Sequence, residues 1–349
     1  MLVTTEQVSW GHPDKICDQI SDAIVTDCLA HDRNSRVAAE CMIKNVQIII
    51  AGEITSTHMP CYETLTRGVL MRIGIDDAEK YKVTSLVTLQ SPDIAQGVDT
   101  GGAGDQGIVI GYATNETPEF MPLPFMLATC ALEFLRDMKR KELLPDAKSQ
   151  VTFDYDKGRI DTFLISTQHR IDVSVQDITP LAVYAMRQAA ERYGLNTDFK
   201  TLVNPTGRFV VGSSFADTGL TGRKIIADSY GPIAGHGGGA FSGKDPTKID
   251  RSGAYMARKI ARLFVSAGMA RTCVVQIAYA IGVAEPVSMY VQCIDLDGAE
   301  AEIAFMLRDK YDLTPGGIIK TLGLLEVDYN KTSAYGHFGK PDLPWEQAC

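Results

Sequence analysis

The chain has 349 residues, a formal net charge of −9 at neutral pH and 45% hydrophobic residues. This length predicts two or three domains of ordinary size, and the composition is typical of a folded globular protein. The negative charge argues against a surface that wraps nucleic acid or an anionic membrane, because such surfaces need net positive patches. We therefore expect any basic cluster to be confined to a small region and to indicate a functional site.

A pattern of helix, strand, strand and helix occurs three times in chain order. The first pass covers 13–30, "RVAAECMI", "VQIIIAGEI" and "CYETLTRGVLMRIG". The second covers 123–141, "QVTFDY", "RIDTFLIST" and 177–193. The third covers "RSGAYMARKIARLFVSAG", "RTCVVQIAYAI", "SMYVQCID" and "AEIAFMLRDKY". The apolar periodicity of these stretches predicts an α/β (α+β) fold of three similar units.

Signals for targeting and for disulfides are not visible in the sequence. The first residues, "MLVTTEQVSWGHPDK", lack the basic start and apolar core of a secretory signal, and the longest apolar runs are too short to cross a bilayer. The eight cysteines are scattered and form no C-x-x-C pair. We expect a cytoplasmic protein with reduced thiols and no structural zinc site.

Two glycine-rich segments, 90–107 and 204–250, interrupt the repeated pattern. Segments of this length are typical of binding loops and lids, although exposed linkers have a similar composition. The second segment carries five cations: Arg208, Arg223, Lys224, Lys244 and Lys248. In an acidic protein this cluster favours a site for a multiply charged anion with its divalent metal, and a row of solvated surface charges is the alternative.

The start of the first predicted helix carries a polar cluster in "GHPDK". Free backbone N–H groups and the positive end of the helix dipole favour an anion there, and Asp14 could hold a metal that bridges to that anion. The alternative is that Asp14 only caps the helix. Asp18 and Asp22 follow at four-residue spacing, and we expect them to form a solvated acidic face.

The stretch "GGGAFSGKD" resembles a phosphate-binding P-loop as far as Lys244, but Asp245 occupies the position of the usual Ser or Thr. Pro246 disfavours a helical Asp245, and the preceding "DSYGPIAGH" is turn-rich rather than a buried strand. The helix is predicted to begin only near Asp250 or Arg251. We therefore expect an irregular loop that presents Lys244 and Lys248 to phosphates and a metal without P-loop geometry.

Taken together, these motifs resemble the signatures of the S-adenosylmethionine synthetases, also called methionine adenosyltransferases. The matching stretches occur in the family's order and cover nearly the whole chain: "GHPDKICDQISDA", "GAGDQG", "YATNET", "DAKSQVT", "NPTGRFVVG", "GLTGRK", "HGGGAFSGKDPTKIDRS", "YAIGVAEP" and "AYGHFG". The resemblance implies an enzyme in which the methionine sulfur attacks C5′ of ATP and the released triphosphate is hydrolysed to phosphate and diphosphate. A thioether has no proton to lose, so this attack needs positioning and charge neutralisation rather than a general base.

The resemblance also implies cofactors and site residues. Two Mg²⁺ ions would be bound through Asp14 and Asp250, and K⁺ through Glu40; Glu6 is similar to an acidic residue of the family's amino-terminal site segment. The implied ATP-binding residues are His12, Lys15, Asp146, Lys148, Arg208, Phe209, Arg223, Lys224, Ala240 and Lys244. The implied methionine-binding residues are Glu53, Gln90, Asp105, Asp217 and Lys248. The implied catalytic residues are His12, Asp105, Lys148, Arg223 and Lys244.

The family's architecture implies three similar α/β domains about a pseudo-threefold axis, and we expect boundaries at 1–100, 101–210 and 211–349 with some exchange of segments. It also implies a homodimer or a dimer of dimers whose active sites lie between two subunits. Trp10 departs from the family, which usually has an acidic residue before "GHPDK", and segment 90–107 is shorter than usual. These departures concern lid closure and assembly rather than phosphate or metal residues.

Two other functions remain as alternatives. A P-loop-like phosphotransferase is disfavoured by Asp245 and Pro246. A catalytically silent member that binds nucleotide as a regulatory partner would be expected to have lost Asp14, Lys148, Lys244 or Asp250, and all four are present.

Overall fold

The structure, a computed structural model, describes residues 1–90, 101–294, 306–307 and 309–347. The strands in chain order are β1 (Leu2–Val8), β2 (Arg36–Lys44), β3 (Gln47–Thr55), β4 (Lys82–Thr88), β5 (Gly107–Thr114), β6 (Leu143–Asp154), β7 (Arg159–His169), β8 (Lys200–Val203), β9 (Gly219–Leu220), β10 (Thr272–Tyr279) and β11 (Ser288–Ile294). The helices are α1 (Pro13–His31), α2 (Tyr62–Ile73), α3 (Leu123–Asp137), α4 (Val175–Arg192), α5 (Ser213–Ala216), α6 (Ile225–Asp228), α7 (Ile249–Ser266) and α8 (Pro315–Leu322).

The strands form three small sheets, each packed against helices. The first sheet has the order β4-β3-β2-β9 and packs on α1 and α2. The second has the order β1-β6-β7-β8 and packs on α3 and α4. The third has the order β11-β10-β5 and packs on α7, which also contacts α8. This arrangement confirms the predicted α/β fold of three similar units.

Each sheet combines strands from distant parts of the chain. Strand β1 pairs with β6, β5 pairs with β10, and the short β9 pairs with β2, all antiparallel. Every sheet therefore takes strands from two of the ranges 1–100, 101–210 and 211–349. The domain boundaries at 100 and 210 stay a prediction. The pairing of strands from different ranges was not predicted from the sequence.

The predicted helices agree with the observed ones to within a few residues. The pattern at 13–30 is α1, and the pattern at 123–141 is α3, which ends at Asp137. The helix predicted in "AEIAFMLRDKY" lies mostly outside the described residues, although residues 306–307 and 309–310 are helical. Within the described chain, the helices are either too short or too polar to span a membrane. Cys17, Cys28, Cys41, Cys61 and Cys130 carry free thiols.

The expected acidic face of α1 is wrong, because Asp18 and Asp22 are fully buried. The helix lies between its own sheet and later segments of the chain, so the face that carries these aspartates is covered. Asp18 pairs with Lys15 of the same helix at 2.9 Å and accepts the Gly222 N–H at 2.8 Å, and Asp22 pairs with Arg251 of α7 at 2.8 Å. Buried carboxylates are tolerated when a cation and further hydrogen bonds satisfy them, and these two fasten α1 to the rest of the molecule.

Candidate active site

His12 is the residue that caps α1, and its environment keeps it neutral. Its Nδ1 accepts a hydrogen bond from the Asp14 N–H at 3.2 Å, which leaves the ring proton on Nε2 as a donor. Burial, with a further contribution from the Lys224 charge, lowers the pKa of His12 to about 4. At neutral pH the ring therefore offers an N–H group without carrying a charge of its own.

The cap of α1 is His12, so the interpretation of Asp14 as only a helix cap is wrong. Asp14 Oδ1 accepts a hydrogen bond from the Leu220 N–H at 3.0 Å, and its Oδ2 accepts one from Lys224 Nζ at 2.5 Å. Burial raises the pKa of Asp14, but the hydrogen bonds from Lys224 and Leu220 outweigh burial and the net shift is downward. An ionised carboxylate is thus held beside a lysine at the amino end of α1.

Strand β6 brings two more predicted residues to the same place. Asp146 is buried and accepts the Ser213 N–H at 2.7 Å; burial raises its pKa to about 6, although that hydrogen bond and Lys148 oppose the shift. Lys148 and Asp217 interact electrostatically with both His12 and Asp146. We call this group the first half-site; its members are His12, Asp14, Asp146, Lys148, Asp217 and Lys224.

A second group lines a cavity of about 170 Å³ between the first sheet and the start of α7. Lys244 Nζ lies 2.6 Å from Asp250 Oδ2, and Gln90 N–H donates to Thr55 Oγ1 at 3.3 Å. We call this group the second half-site; its members are Glu53, Gln90, Asp105, Lys244, Lys248 and Asp250. The structure therefore brings six predicted residues from four separate motifs to one cavity.

The loop before α7 is fastened to the first sheet by Asp245, the residue that breaks the P-loop pattern. Its fully buried carboxylate accepts the Val37 N–H at 2.6 Å and the Thr247 N–H at 2.9 Å, and it pairs with Lys248. No described strand leads into this loop, and α7 begins at Ile249 with Lys248 as its N-cap. The loop is therefore not a P-loop, as the sequence predicted.

Comparisons with known proteins agree along the whole chain. Sequence models of the S-adenosylmethionine synthetase N-terminal, central and C-terminal domains match residues 1–92, 100–209 and 211–347. The chain belongs to the S-adenosylmethionine synthetase family. Members of this family are metal-dependent enzymes, and this chain is a methionine adenosyltransferase.

Similar proteins named S-adenosylmethionine synthase come from Mycoplasma mycoides subsp. mycoides SC and Staphylococcus epidermidis. The chain is 45% identical to each, over 365 and 379 residues; the alignments cover 99% of this chain and 94% and 95% of those relatives. A solved structure, described as an unusual S-adenosylmethionine synthetase from Campylobacter jejuni, superposes with a TM-score of 0.92 at 34% identity. That superposition covers 99% of this chain and 96% of the other.

Several predicted synthetase residues lie outside the two half-sites. Glu6 shares the open face of the second sheet with Lys148, and Glu40 shares the open face of the first sheet with Glu53. Arg208 and Arg223 are exposed. The Phe209 N–H donates to His169 Nε2 at 3.1 Å, and Ala240 packs closely against Gly222.

Lys15, a predicted ATP contact, lies in a buried cluster of charges. Its ammonium is fully buried between Asp18 and Asp228, and the two carboxylates raise its pKa although burial alone would lower it. Lys15 therefore supports the start of α1 through these two ion pairs. Its role as an ATP contact stays a prediction. Asp228, like Asp22 and Arg251, is a supporting residue that the sequence did not reveal, because its partner is more than two hundred positions away.

Larger cavities occur elsewhere in the described chain but hold no predicted synthetase residue. One of about 580 Å³ lies beside Glu133 and Lys340, and one of about 300 Å³ lies beside Trp10 and Arg136. The larger of the two is also lined by carboxylates and lysines, so neither charge nor size alone singles out a site. The second half-site is distinguished by the motif residues that line its cavity.

Gly239 is required for the position of Asp250. A Cβ at residue 239 would lie 2.2 Å from Asp250 Cγ, whereas the backbone there does not need glycine. We expect Gly239→Ala to push the carboxylate aside and lower kcat about a hundredfold, the usual scale for a displacement of about 1 Å. Turnover measured as a function of magnesium concentration tests this expected loss of kcat. Gly235→Ala is the control, because its Cβ would meet only the flexible Ile110 side chain; equal losses in both variants would contradict the assignment.

Proposed function

We propose that the two half-sites bind the triphosphate of ATP through carboxylate–lysine pairs that open when the nucleotide enters. The supporting observation is that each predicted magnesium ligand already contacts a predicted phosphate-binding lysine. Asp14 pairs with Lys224 at 2.5 Å, and Asp250 pairs with Lys244 at 2.6 Å. Mg²⁺ prefers carboxylate oxygens and phosphates prefer ammonium groups, so Mg²⁺ and ATP together would satisfy all four side chains.

The reaction needs this excess of charge because the leaving group is a triphosphate. The methionine sulfur forms a bond to C5′ as the bond from C5′ to the triphosphate oxygen breaks, and no proton is removed from sulfur. Lys148, Lys224 and Lys244 would neutralise the departing oxygens, and His12 would donate its Nε2–H to them. Mg²⁺, when bound, adds further neutralisation of these oxygens and of the triphosphate during its hydrolysis.

The methionine-binding residues carry charges that fit an amino acid. Glu53 suits the ammonium group and Lys248 suits the carboxylate, while Asp105 would favour the sulfonium that forms. Asp217, also predicted to bind methionine, belongs to the first half-site, whereas the other predicted methionine ligands line the second. This division supports a site in which one subunit supplies the first half and another subunit the second.

A homodimer, alone or paired as a dimer of dimers, also fits the exposed apolar sheet faces. Met42 and Leu86 on the first sheet are 36% and 62% exposed, and Ile108 and Tyr290 on the third sheet are 46% and 51% exposed. Large exposed apolar patches commonly mark interfaces, and a twofold interface would cover these faces in both subunits. Glu40 on the same face of the first sheet would then bind K⁺ near the interface.

A cytoplasmic location fits the free thiols and the ATP requirement.

Complementation between two inactive variants tests this arrangement. Asp14→Asn disables the first half-site and Lys244→Met the second, so each homodimer is inactive. When equal amounts of the two chains are co-expressed, random pairing gives about a quarter of wild-type activity, because half of the dimers are mixed and each mixed dimer has one intact site. Activity no higher than that of the single variants would refute sharing between subunits.

The products formed by the wild-type enzyme distinguish the reaction from its alternatives. We expect phosphate, diphosphate and the sulfonium product to appear only when ATP, Mg²⁺, K⁺ and methionine are all present. ADP formation would indicate a phosphotransferase. Nucleotide binding without any turnover would indicate a silent regulatory member of the family.

A further inference from the structure

A cluster of two histidines and one aspartate lies at the carboxyl end of α1, the opposite end of that helix from the first half-site. Asp27 and His31 are four residues apart on one face of the helix, and His58 follows β3. Asp27 lies about 20 Å along the helix from Asp14, since each residue advances an α-helix by about 1.5 Å. None of the residues assigned to ATP, methionine, Mg²⁺ or K⁺ belongs to this cluster.

The spacing of the three side chains matches a transition-metal site. His58 Nε2 lies 2.7 Å from Asp27 Oδ2, and His31 Nδ1 lies 3.7 Å from Asp27 Oδ1. One ligand atom from each residue lies within 4.8 Å of the others. Ligand atoms in a tetrahedral zinc site are about 3.3 Å apart, since the bonds are about 2.0 Å long. Small side-chain rotations therefore suffice for all three atoms to reach one ion.

The loop that carries His58 is already held in place. The Asp32 carboxylate accepts the Thr57 N–H at 2.8 Å and the Thr57 hydroxyl at 2.9 Å, and the His58 N–H donates to Ser56 Oγ at 3.0 Å. The rings of His31 and His58 stack with their centroids 4.0 Å apart. Because the loop is ordered by these contacts, little conformational entropy would be lost when an ion binds.

The charge around the cluster also favours a cation. The last carbonyl groups of α1 carry the negative end of the helix dipole, and the Asp27 and Asp32 carboxylates lie beside them. Arg33, the nearest cation in sequence, is engaged by Glu326. The side chains of Asp27, His31 and His58 are 22%, 55% and 28% exposed, so an ion can enter from solvent.

We propose that Asp27, His31 and His58 form a binding site for a divalent transition metal, with Zn²⁺ as its best-fitting ion. Two imidazoles and one carboxylate are ligands that Zn²⁺, Co²⁺ and Ni²⁺ accept, whereas Mg²⁺ prefers oxygen ligands alone. Binding exchanges the contacts of His58 with Asp27 and of His31 with the Asp27 carbonyl for bonds to the metal. The ion thereby joins the end of α1 to the loop after β3, with water completing its coordination.

Cobalt titration in the presence of excess Mg²⁺ tests the site, because Mg²⁺ occupies the oxygen-lined half-sites and Co²⁺ bound by histidine absorbs visible light. We expect one Co²⁺ per wild-type chain, displaced by Zn²⁺, and an affinity at least about tenfold lower in His58→Gln and in His31→Gln. Thr57→Val is the matched control, since it removes one loop hydrogen bond and no ligand while the Thr57 N–H still donates to Asp32. Its affinity should lie much closer to that of wild type than the affinity of either histidine variant.

Thermal unfolding provides a second measurement that does not depend on activity. Zn²⁺ should raise the melting temperature of wild type and of Thr57→Val by a few degrees and leave the histidine variants unchanged. If His58→Gln does not fold, the more exposed His31→Gln decides the result. Absence of stoichiometric binding in wild type, or equal binding in wild type and both histidine variants, would overturn the proposal.

Discussion

Replacing Lys244 with methionine is expected to lower kcat about a thousandfold while changing the free energy of unfolding by less than about 1 kcal/mol. The ammonium of Lys244 contacts Asp250 at 2.6 Å at the mouth of the second half-site, and its side chain is 28% exposed. If Lys244 neutralises the leaving triphosphate as proposed, its removal takes away that charge, and it also leaves the Asp250 carboxylate without its Lys244 partner. The methionine chain keeps the packing of the aliphatic stem, so the core is little affected.

Single-turnover rates and denaturant unfolding of the same protein preparation measure the two effects separately. Lys157→Met is the control, because Lys157 is 73% exposed and pairs with Asp154 far from the half-sites, so neither quantity should change. A Lys244→Met protein that unfolds at much lower denaturant, with kcat reduced only in proportion to the folded fraction, would show that Lys244 acts in stability.

The sequence predicted the long helices and paired strands well because their signals are local. The apolar stripe of α1 and the alternating burial along β10 follow from residues that are neighbours in the chain. Strands β1 and β5 lack such a local signal, since each is defined by pairing with a strand more than a hundred residues away. Their place in the fold depends on tertiary contacts that periodicity does not encode.

The types of residue around the site could be predicted from the sequence, but their division into two half-sites could not. Glycine-rich loops with lysines and aspartates indicate a polyphosphate site, and both Lys244 and Asp250 face the same cavity. The separation into two half-sites depends on how three sheets are arranged, which no motif records. The same limitation explains Asp18. Its charge and spacing suggest solvent exposure, but burial between α1 and later segments makes it a structural partner of Lys15.

Replacing Arg251 with methionine is expected to cost about 3 to 5 kcal/mol of stability, the usual penalty for leaving one charge of a buried pair without its partner. The Arg251 guanidinium is fully buried and donates to Asp22 Oδ2, Tyr255 Oη and the Lys244 carbonyl at 2.8, 3.0 and 2.8 Å. It also donates to Thr332 Oγ1 at 3.1 Å. Its loss would leave the Asp22 carboxylate buried and uncompensated and would free the backbone of the loop that carries Lys244.

The double variant Asp22→Asn/Arg251→Met separates the buried charge from the loss of packing. An amide at residue 22 removes the unpaired charge, so we expect the double variant to be more stable than Arg251→Met alone by about 1 to 3 kcal/mol. Arg159→Met is the contrasting control: the Arg159–Asp198 pair is 42% and 75% exposed, and its loss should cost less than about 1 kcal/mol. If Arg251→Met lowered the free energy of unfolding no more than Arg159→Met, the Asp22–Arg251 pair between α1 and α7 would not be what holds the loop against the core. The position of Lys244 would then have to depend on Asp245 and its contact with β2.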